Sequence, residues 1–310
     1  MRIAVFGATS VIAKDLQTLF ARSGKHELVL YARRPSAAIQ WQQDAGLGER
    51  HSVADFDAFD SAQQFDAIMN FVGVGDPARA EAMGSEIFDV TLKFDELALS
   101  YLHAHPECRY VFLSSGAAYG SAFDRPVDED SAAVIPINSL SGADWYAIAK
   151  LHAEGRHRAL PHLHIVDIRV FNYFSRFQDV ATRFFITDAV RAIQSDTVLK
   201  TGSNYFVRDY IHSTDLFALV SVLLAGPPLN AALDCYSKQP IDKPSLLVAL
   251  AGNFGLRYQV EPVETVGGKK HYYSLNRRAA QFGYVPSLTS LQAVEQELRA
   301  ILHHPERAKT

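Results

Sequence analysis

Short apolar runs rich in β-branched and aromatic residues alternate along this chain with longer stretches whose apolar positions recur every three or four residues. The first kind reads as buried strand and the second as helix. Arg2-Ile-Ala-Val-Phe6, Glu27-Leu-Val-Leu-Tyr31, Val53-Ala-Asp55-Phe56, Ala67-Ile-Met-Asn70, Arg109-Tyr-Val-Phe-Leu113 and His164-Ile-Val-Asp-Ile-Arg169 are the strand runs. Val11, Ile12, Leu16, Leu19 and Phe20 form one helix stripe, and Ile87, Val90, Phe94, Leu97 and Tyr101 a second within residues 84–105. Such alternation predicts an α/β architecture, a doubly wound parallel sheet with crossover helices. After residue 172 the pattern changes: Ser213-Thr-Asp215 reads as a helix start, strands and helices surround Leu233 and Leu246, and a closing helix covers 288–303. We therefore expect a nucleotide-binding domain over 1–172, with 209–236 packing back onto it, and a smaller C-terminal α/β substrate-binding lobe over 173–310.

The turns after these strands carry the chemistry. Gly7-Ala-Thr9-Ser10 joins the first strand to a helix, so a glycine turns the chain and the amides of Ser10, Val11 and Ile12 face an anion. This is the opening of a Rossmann-type unit, with Ser10 and Ala13 standing where further glycines are usual. The second strand ends in Ala32-Arg33-Arg34, a small residue and two cations where an NAD site carries an acid, which predicts NADP, with NAD as the alternative. Asp55 is expected to accept from an adenine amino group and Phe56 to flank the ring. Phe71, Val72 and Gly73 close the fourth strand beside the cofactor.

Ser114 and Ser115 stand at the carboxyl end of the fifth strand, and Tyr146 and Lys150 lie four apart on one face of a helix. A hydroxyl facing a Tyr/Lys pair suits the movement of a proton onto or off a carbohydrate oxygen. A free phenol is a weak base at neutral pH, and a neighbouring ammonium is expected to lower its pKa. With 13 tyrosines in 310 residues, chance alone supplies about 0.4 Tyr-x-x-x-Lys matches, so the flanking elements must carry the assignment.

Composition narrows the partners. The net charge of −4 is spread through the chain, which predicts binding to neither nucleic acid nor an anionic membrane. The longest apolar run, 216–225, is too short to span a bilayer. The N-terminus enters a strand without a signal-like leader, so a cytoplasmic location is expected. Cys108 and Cys235 read as free buried thiols. The 12 histidines, His152, His157, His162 and His164 among them, lack the spacing of a zinc site, and no metal is expected. His212 reads as a structural residue, and the acids Asp124, Asp128, Glu129 and Asp130 as a solvated loop.

Gly7 to Ala13, Ser115 to Gly120, Tyr146/Lys150, Arg169-Val-Phe-Asn172 and Arg208-Asp-Tyr-Ile-His212 occur in that order. The assembled chain resembles an extended short-chain dehydrogenase/reductase of the NAD(P)-dependent nucleotide-sugar epimerase/dehydratase branch. The resemblance implies Tyr146 as acid/base, Lys150 on the nicotinamide ribose and Ser115 as the third catalytic member, with Leu113 and Phe171 beside the cofactor. It places Asn172, Arg208, Lys269 and Lys270 at the nucleotide diphosphate of the substrate, without the acidic and arginine partners of the epimerases. A homodimer through the helices of 84–105 and 143–160 is also implied.

On the cofactor inference, the expected activity is NADP-dependent reduction of a 4-keto nucleotide-diphosphate sugar, with the proton from Tyr146. The alternative is a nucleotide-sugar 4-epimerase with tightly bound NAD. A 4,6-dehydratase is disfavoured because Gly116-Ala117 follow Ser115 where family dehydratases carry Asp-Glu. A non-catalytic NAD(P)-sensing protein is set against by the presence of both Tyr146 and Lys150.

Overall fold

The six apolar runs form strands, and the segment around Leu233 adds a seventh to the same sheet. The computed structural model describes residues 1–74, 77–121, 123–262 and 269–303. In chain order these are β1 (Arg2–Phe6), α1 (Val11–Ser23), β2 (Glu27–Tyr31), α2 (Pro35–Asp44), β3 (Ser52–Ala54), β4 (Ala67–Asn70), α3 (Pro77–Met83), α4 (Glu86–Ala104), β5 (Arg109–Ser115), α5 (Gly142–Arg158), β6 (His164–Val170), β7 (Asn172–Tyr173) and α6 (Phe185–Gln194). They continue as β8 (Val198–Gly202), β9 (Val207–Arg208), β10 (Tyr210–Ile211), α7 (Ser213–Ala225), β11 (Ala231–Asp234), β12 (Ile241–Asp242), α8 (Lys243–Phe254), β13 (Arg257–Glu261), β14 (His271–Tyr272) and α9 (Ser290–His303).

The main sheet runs β11-β6-β5-β4-β1-β2-β3, every pair parallel. Strand order reverses between β1 and β4, which brings the carboxyl ends of both to one crevice. Both faces are apolar, as a parallel sheet covered by helices requires. One face packs Ile3, Val5, Val111 and Ile168 with Leu16, Phe20, Leu216 and Leu219 of α1 and α7. The other packs Ala4, Phe6, Ile68 and Phe112 with Leu99 and Leu102 of α4. Each such Leu or Phe contributes roughly 1.5–3 kcal/mol by leaving water.

Local signals set the helix ends. Ser10 accepts the Ala13 amide and starts α1, and Gly24 at φ 64° ends it. Ser141 and Asp144 form a capping box at the start of α5. β3 stops at Ala54, two residues short of the expected run, because the Asp55 carboxylate accepts the Ala58 amide and turns Phe56–Ala58 into a 3₁₀ segment. α7 begins at Ser213, but its cap is His212, whose Nδ1 accepts the Thr214 amide while Nε2 meets Glu297 at 3.0 Å.

A second core gathers Phe174, Ile186, Val190, Tyr210, Leu246, Leu250, Val294 and Leu298. Around it lie the β12-β9-β14 sheet and the β8/β13 and β7/β10 pairs. Between the two cores sits a small aromatic group, Tyr119, Phe123, Phe171 and Tyr272 with Val127. Among the described residues no helix is long and apolar enough to cross a membrane.

Candidate active site

The crevice begins at Gly7. Its amide donates to the Tyr31 carbonyl, and its φ of +75° is one that side-chain-bearing residues rarely adopt. A Cβ there would lie 2.9 Å from the Phe71 carbonyl carbon and from the Val72 nitrogen. The glycine therefore holds the β1 and β4 turns against each other, with exposed Thr9 and the first-turn residues Ser10, Val11 and Ile12 at the open mouth. Ala13 is fully buried, so a small residue in place of a glycine still lets α1 approach the sheet. This cradle fits a dinucleotide pyrophosphate.

Farther out, Ala32 is buried and both Arg33 and Arg34 are exposed, with no side-chain partner for either among the described residues. The Asp55 carboxylate is exposed beyond its capping bond. Phe56 packs on Phe94 at 4.5 Å and edge-on to Phe6 at 5.4 Å, so part of its ring belongs to the core. Phe71 is buried, and the Val72 amide donates to buried Asn70 at 2.9 Å, which fixes the turn into Gly73.

β5 then delivers two serines that diverge. Ser114 Oγ donates to Glu154 at 2.5 Å and turns away from the crevice. Ser115 Oγ accepts the Ala117 amide at 3.1 Å and lies 3.2 Å from the Tyr272 hydroxyl. One helical turn apart on α5, Tyr146 is half-buried and Lys150 buried. Lys150 Nζ donates to the Leu113 carbonyl at 2.7 Å, rides 4.4 Å above the Phe112 ring and is 5.8 Å from the Tyr146 ring centre. It also lies 3.7 Å from where a Cβ on Gly73 would sit, so the lysine joins the phenol to the turn after β4.

The electrostatics differ from the expectation that Lys150 lowers the phenol. Burial raises the Tyr146 pKa, and the opposing pull comes from Ser115. The Lys150 ammonium donates to the Leu113 carbonyl. Burial pushes Lys150 itself down to about 8, while the charges of Asp167, Glu154 and Asp95 hold it up.

Those carboxylates belong to a buried network that the sequence reading passed over. His157 bridges Asp167 at 2.6 Å and Asp95 at 2.7 Å, Arg156 and Arg158 bind their outer oxygens, and Tyr110 joins Asp95 to Asn70. Glu154 holds Ser114 and Arg169, and Arg169 reaches the Tyr119 hydroxyl at 2.7 Å and Asp234. Asp234 in turn accepts from Ser274 at 2.5 Å. The signal was present, since Tyr146, Lys150, Glu154 and His157 repeat at helical spacing along one face of α5.

Residues of both lobes meet beside Ser115. Tyr272 packs on Phe123 at 4.7 Å and Phe171 at 5.1 Å, and Asn172 Nδ2 donates to the Tyr272 carbonyl at 3.4 Å. The Phe171 ring also fills the space above Gly116, where a Cβ would meet it at 2.4 Å. Lys269 Nζ lies 4.0 Å from the Tyr272 ring centre, and burial, then the nearby Arg208 charge, push it down to about 8. Arg208 stacks over Phe206 at 4.5 Å and donates to its neighbour's carbonyl. Among the described residues neither cation has a carboxylate partner. The Lys270 side chain is exposed, and its carbonyl accepts the Val207 amide. Tyr272 and Phe123 were missed because nothing in the spacing of a two-residue strand and a loop marks them.

Residues 3–230 match the model of the NAD dependent epimerase/dehydratase family. The chain belongs to that family. Its fold is shared with UDP-glucuronic acid 4-epimerase from Bacillus cereus in complex with UDP-glucuronic acid and NAD, at 17% identity over 98% of this chain and 99% of that one, with a TM-score of 0.79. UDP-glucose 4-epimerase from Bifidobacterium longum, in complex with NAD+ and UDP, is 19% identical over 99% and 100%, TM-score 0.77. UDP-N-acetylglucosamine 4-epimerase from Methanobrevibacter ruminantium is 14% identical over 98% of each chain, TM-score 0.81. No curated protein sequence matches the chain. Membership of the epimerase/dehydratase family makes it an NAD-type enzyme of the extended short-chain dehydrogenase/reductase kind, with a doubly wound nucleotide-binding sheet.

Proposed function

We propose that this chain is a 4-epimerase of a nucleotide-diphosphate sugar, working with a nicotinamide dinucleotide held on the 1–172 domain together with 209–236, and taking the sugar from the 173–310 lobe. The observation that carries the reading is the meeting of Ser115, Tyr146 and Lys150 beside the Gly7 cradle, opposite the unpaired cations Arg208 and Lys269. Half-buried cations without carboxylates are costly unless a ligand supplies the charge, and a diphosphate does so. The NAD and UDP-sugars bound by the structural neighbours support the epimerase over the reductase expected from sequence.

A nicotinamide held on this cradle would supply reversible hydride transfer at the sugar carbon. Ser115 would hold the reacting oxygen, and Tyr146 would take its proton and give it back. Because burial favours the protonated phenol, Tyr146 is ready to donate, and Ser115 and a cationic nicotinamide together make the phenolate accessible. Lys150 would bind the nicotinamide ribose, with Leu113, Phe71, Val72, Gly73 and Phe171 around it. Asn172, Arg208 and Lys269 would hold the nucleotide diphosphate.

A second reading, an NADP-dependent 4-keto sugar reductase, rests on one observation: Ala32, Arg33 and Arg34 stand at the end of β2 without an acid. Incubation with UDP-glucose and UDP-glucuronic acid, without added cofactor, is expected to interconvert C4 epimers. No epimer, together with NADPH oxidation by a 4-keto sugar nucleotide, refutes the epimerase in favour of the reductase. Tyr146→Phe should lower turnover at least about a thousandfold while leaving cofactor affinity unchanged; undiminished turnover removes Tyr146 as acid/base. We further propose a homodimer built through α4 and α5.

A further inference from the structure

Ser115 Oγ has two phenols beside it, and only one of them, Tyr146, is used by the reaction above. The other, Tyr272, comes from β14 and is 8% exposed. Its hydroxyl lies 3.2 Å from Ser115 Oγ, which accepts the Ala117 amide at 3.1 Å. A serine hydroxyl has one hydrogen and two lone pairs. The Ala117 N–H can only donate, so it takes the first lone pair.

We propose that Tyr272 is a positioning residue that sets the direction of the Ser115 hydroxyl. Its O–H donates to Ser115 Oγ and fills the second lone pair. The hydrogen of Ser115 then has one direction left, toward Tyr146 and the sugar oxygen. The inference rests on the proposed roles of Ser115 and Tyr146 and adds the group that orders them. Two features favour this polarity. The Tyr272 ring is locked by Phe123 and Phe171. The Arg208 charge favours an oxygen that shows its lone pairs to the guanidinium and its hydrogen to Ser115.

The consequence is electrostatic. A serine that donates to Tyr146 stabilises the phenolate, whereas one that accepts from it stabilises the phenol. The charged and titratable groups around the pair are Lys150 on α5, Tyr272 on β14, Arg208 on β9 and Lys269 beside the Tyr272 ring, with Asp167, Glu154 and Asp95 acting on Lys150. All the charged ones persist in the variants used as the test.

The chain, labelled with 3-fluorotyrosine and holding NAD, has 13 tyrosines, and the fluorine resonance of Tyr146 is identified by its loss in Tyr146→Phe. Its titration is followed in the unsubstituted protein, Tyr272→Phe, Ser115→Ala and the double variant. Tyr272→Phe keeps the ring and is expected to raise the Tyr146 pKa by about half to one unit. In the Ser115→Ala background the same change should have little further effect, and Ser115→Thr, which keeps the hydroxyl, should restore the coupling. An unshifted Tyr146 in Tyr272→Phe overturns the proposal, as does an equal shift with Ser115 absent, which would mean Tyr272 acts by packing alone. Undiminished turnover in Tyr146→Phe refutes the catalytic reading and leaves the titration result intact.

Discussion

His157→Gln isolates the buried charge network beneath the active site. His157 is wholly buried, 2.6 Å from Asp167 and 2.7 Å from Asp95. Burial alone pushes the imidazole down, but its hydrogen bonds to these carboxylates and their charges outweigh burial and hold its pKa up to about 9. Against an unfolded value near 6.5, that rise corresponds to about 3 kcal/mol. A raised histidine stabilises the fold fully below about pH 6.5 and loses that contribution as pH climbs through about 9. Lys150 and Lys269, both pushed down to about 8 by burial, act in the opposite sense: their penalty fades as pH rises from about 8 toward 10.5. The useful quantity is therefore the difference between the two proteins at each pH. Glutamine removes the cation and leaves Asp95 and Asp167 buried with Arg156 and Arg158 as their cations, at a cost of about 3–5 kcal/mol near pH 6.5. Urea unfolding at about pH 6.5 and about pH 9.5 should show this gap shrinking by about 3 kcal/mol. An unchanged gap would mean that the imidazole is neutral in the folded protein and that the reasoning is wrong.

Two further outcomes follow from the packing. Gly7→Ala forces a Cβ to within 2.9 Å of two backbone atoms at a positive φ, so we expect a loss of about 1–3 kcal/mol and at least about tenfold weaker NAD binding by calorimetry; unaltered binding would separate the turn from the cofactor. The homodimer through α4 and α5 predicts twice the 34.3 kDa chain mass by light scattering, and a monomer at working concentration rejects it.

What the sequence made legible is what periodicity controls. The strand runs, the α1 stripe and the Tyr146/Lys150 register come from short-range spacing, which a single chain displays directly. The end of β3 was misplaced because a side-chain cap by Asp55 overrode the apolar run. Tyr272 and Phe123 were invisible for a different reason: they reach Ser115 and Phe171 across contacts spanning up to 157 residues, and each stands in a segment with no period. His157 was visible as a residue, but metal spacing was the wrong question for it. Its place on the Tyr146, Lys150 and Glu154 face marked it as a buried charge facing the sheet.

That face explains why so many charges are buried here. Ion pairs inside a protein add little net stability, because desolvation offsets their attraction. Their effect on Lys150 is more specific. The lysine is desolvated against Phe112, and burial drives its pKa down to about 8 even with Asp167, Glu154 and Asp95 pulling it up. Without the three carboxylates its pKa would fall further, and an uncharged amine could not hold the Leu113 carbonyl with the same strength. His157 and Arg158 bind Asp167, and Arg169 binds Glu154, so each of these two carboxylates is itself paired. The network thus acts on the charge of one ammonium, and Lys150 carries that charge to the turn at Gly73.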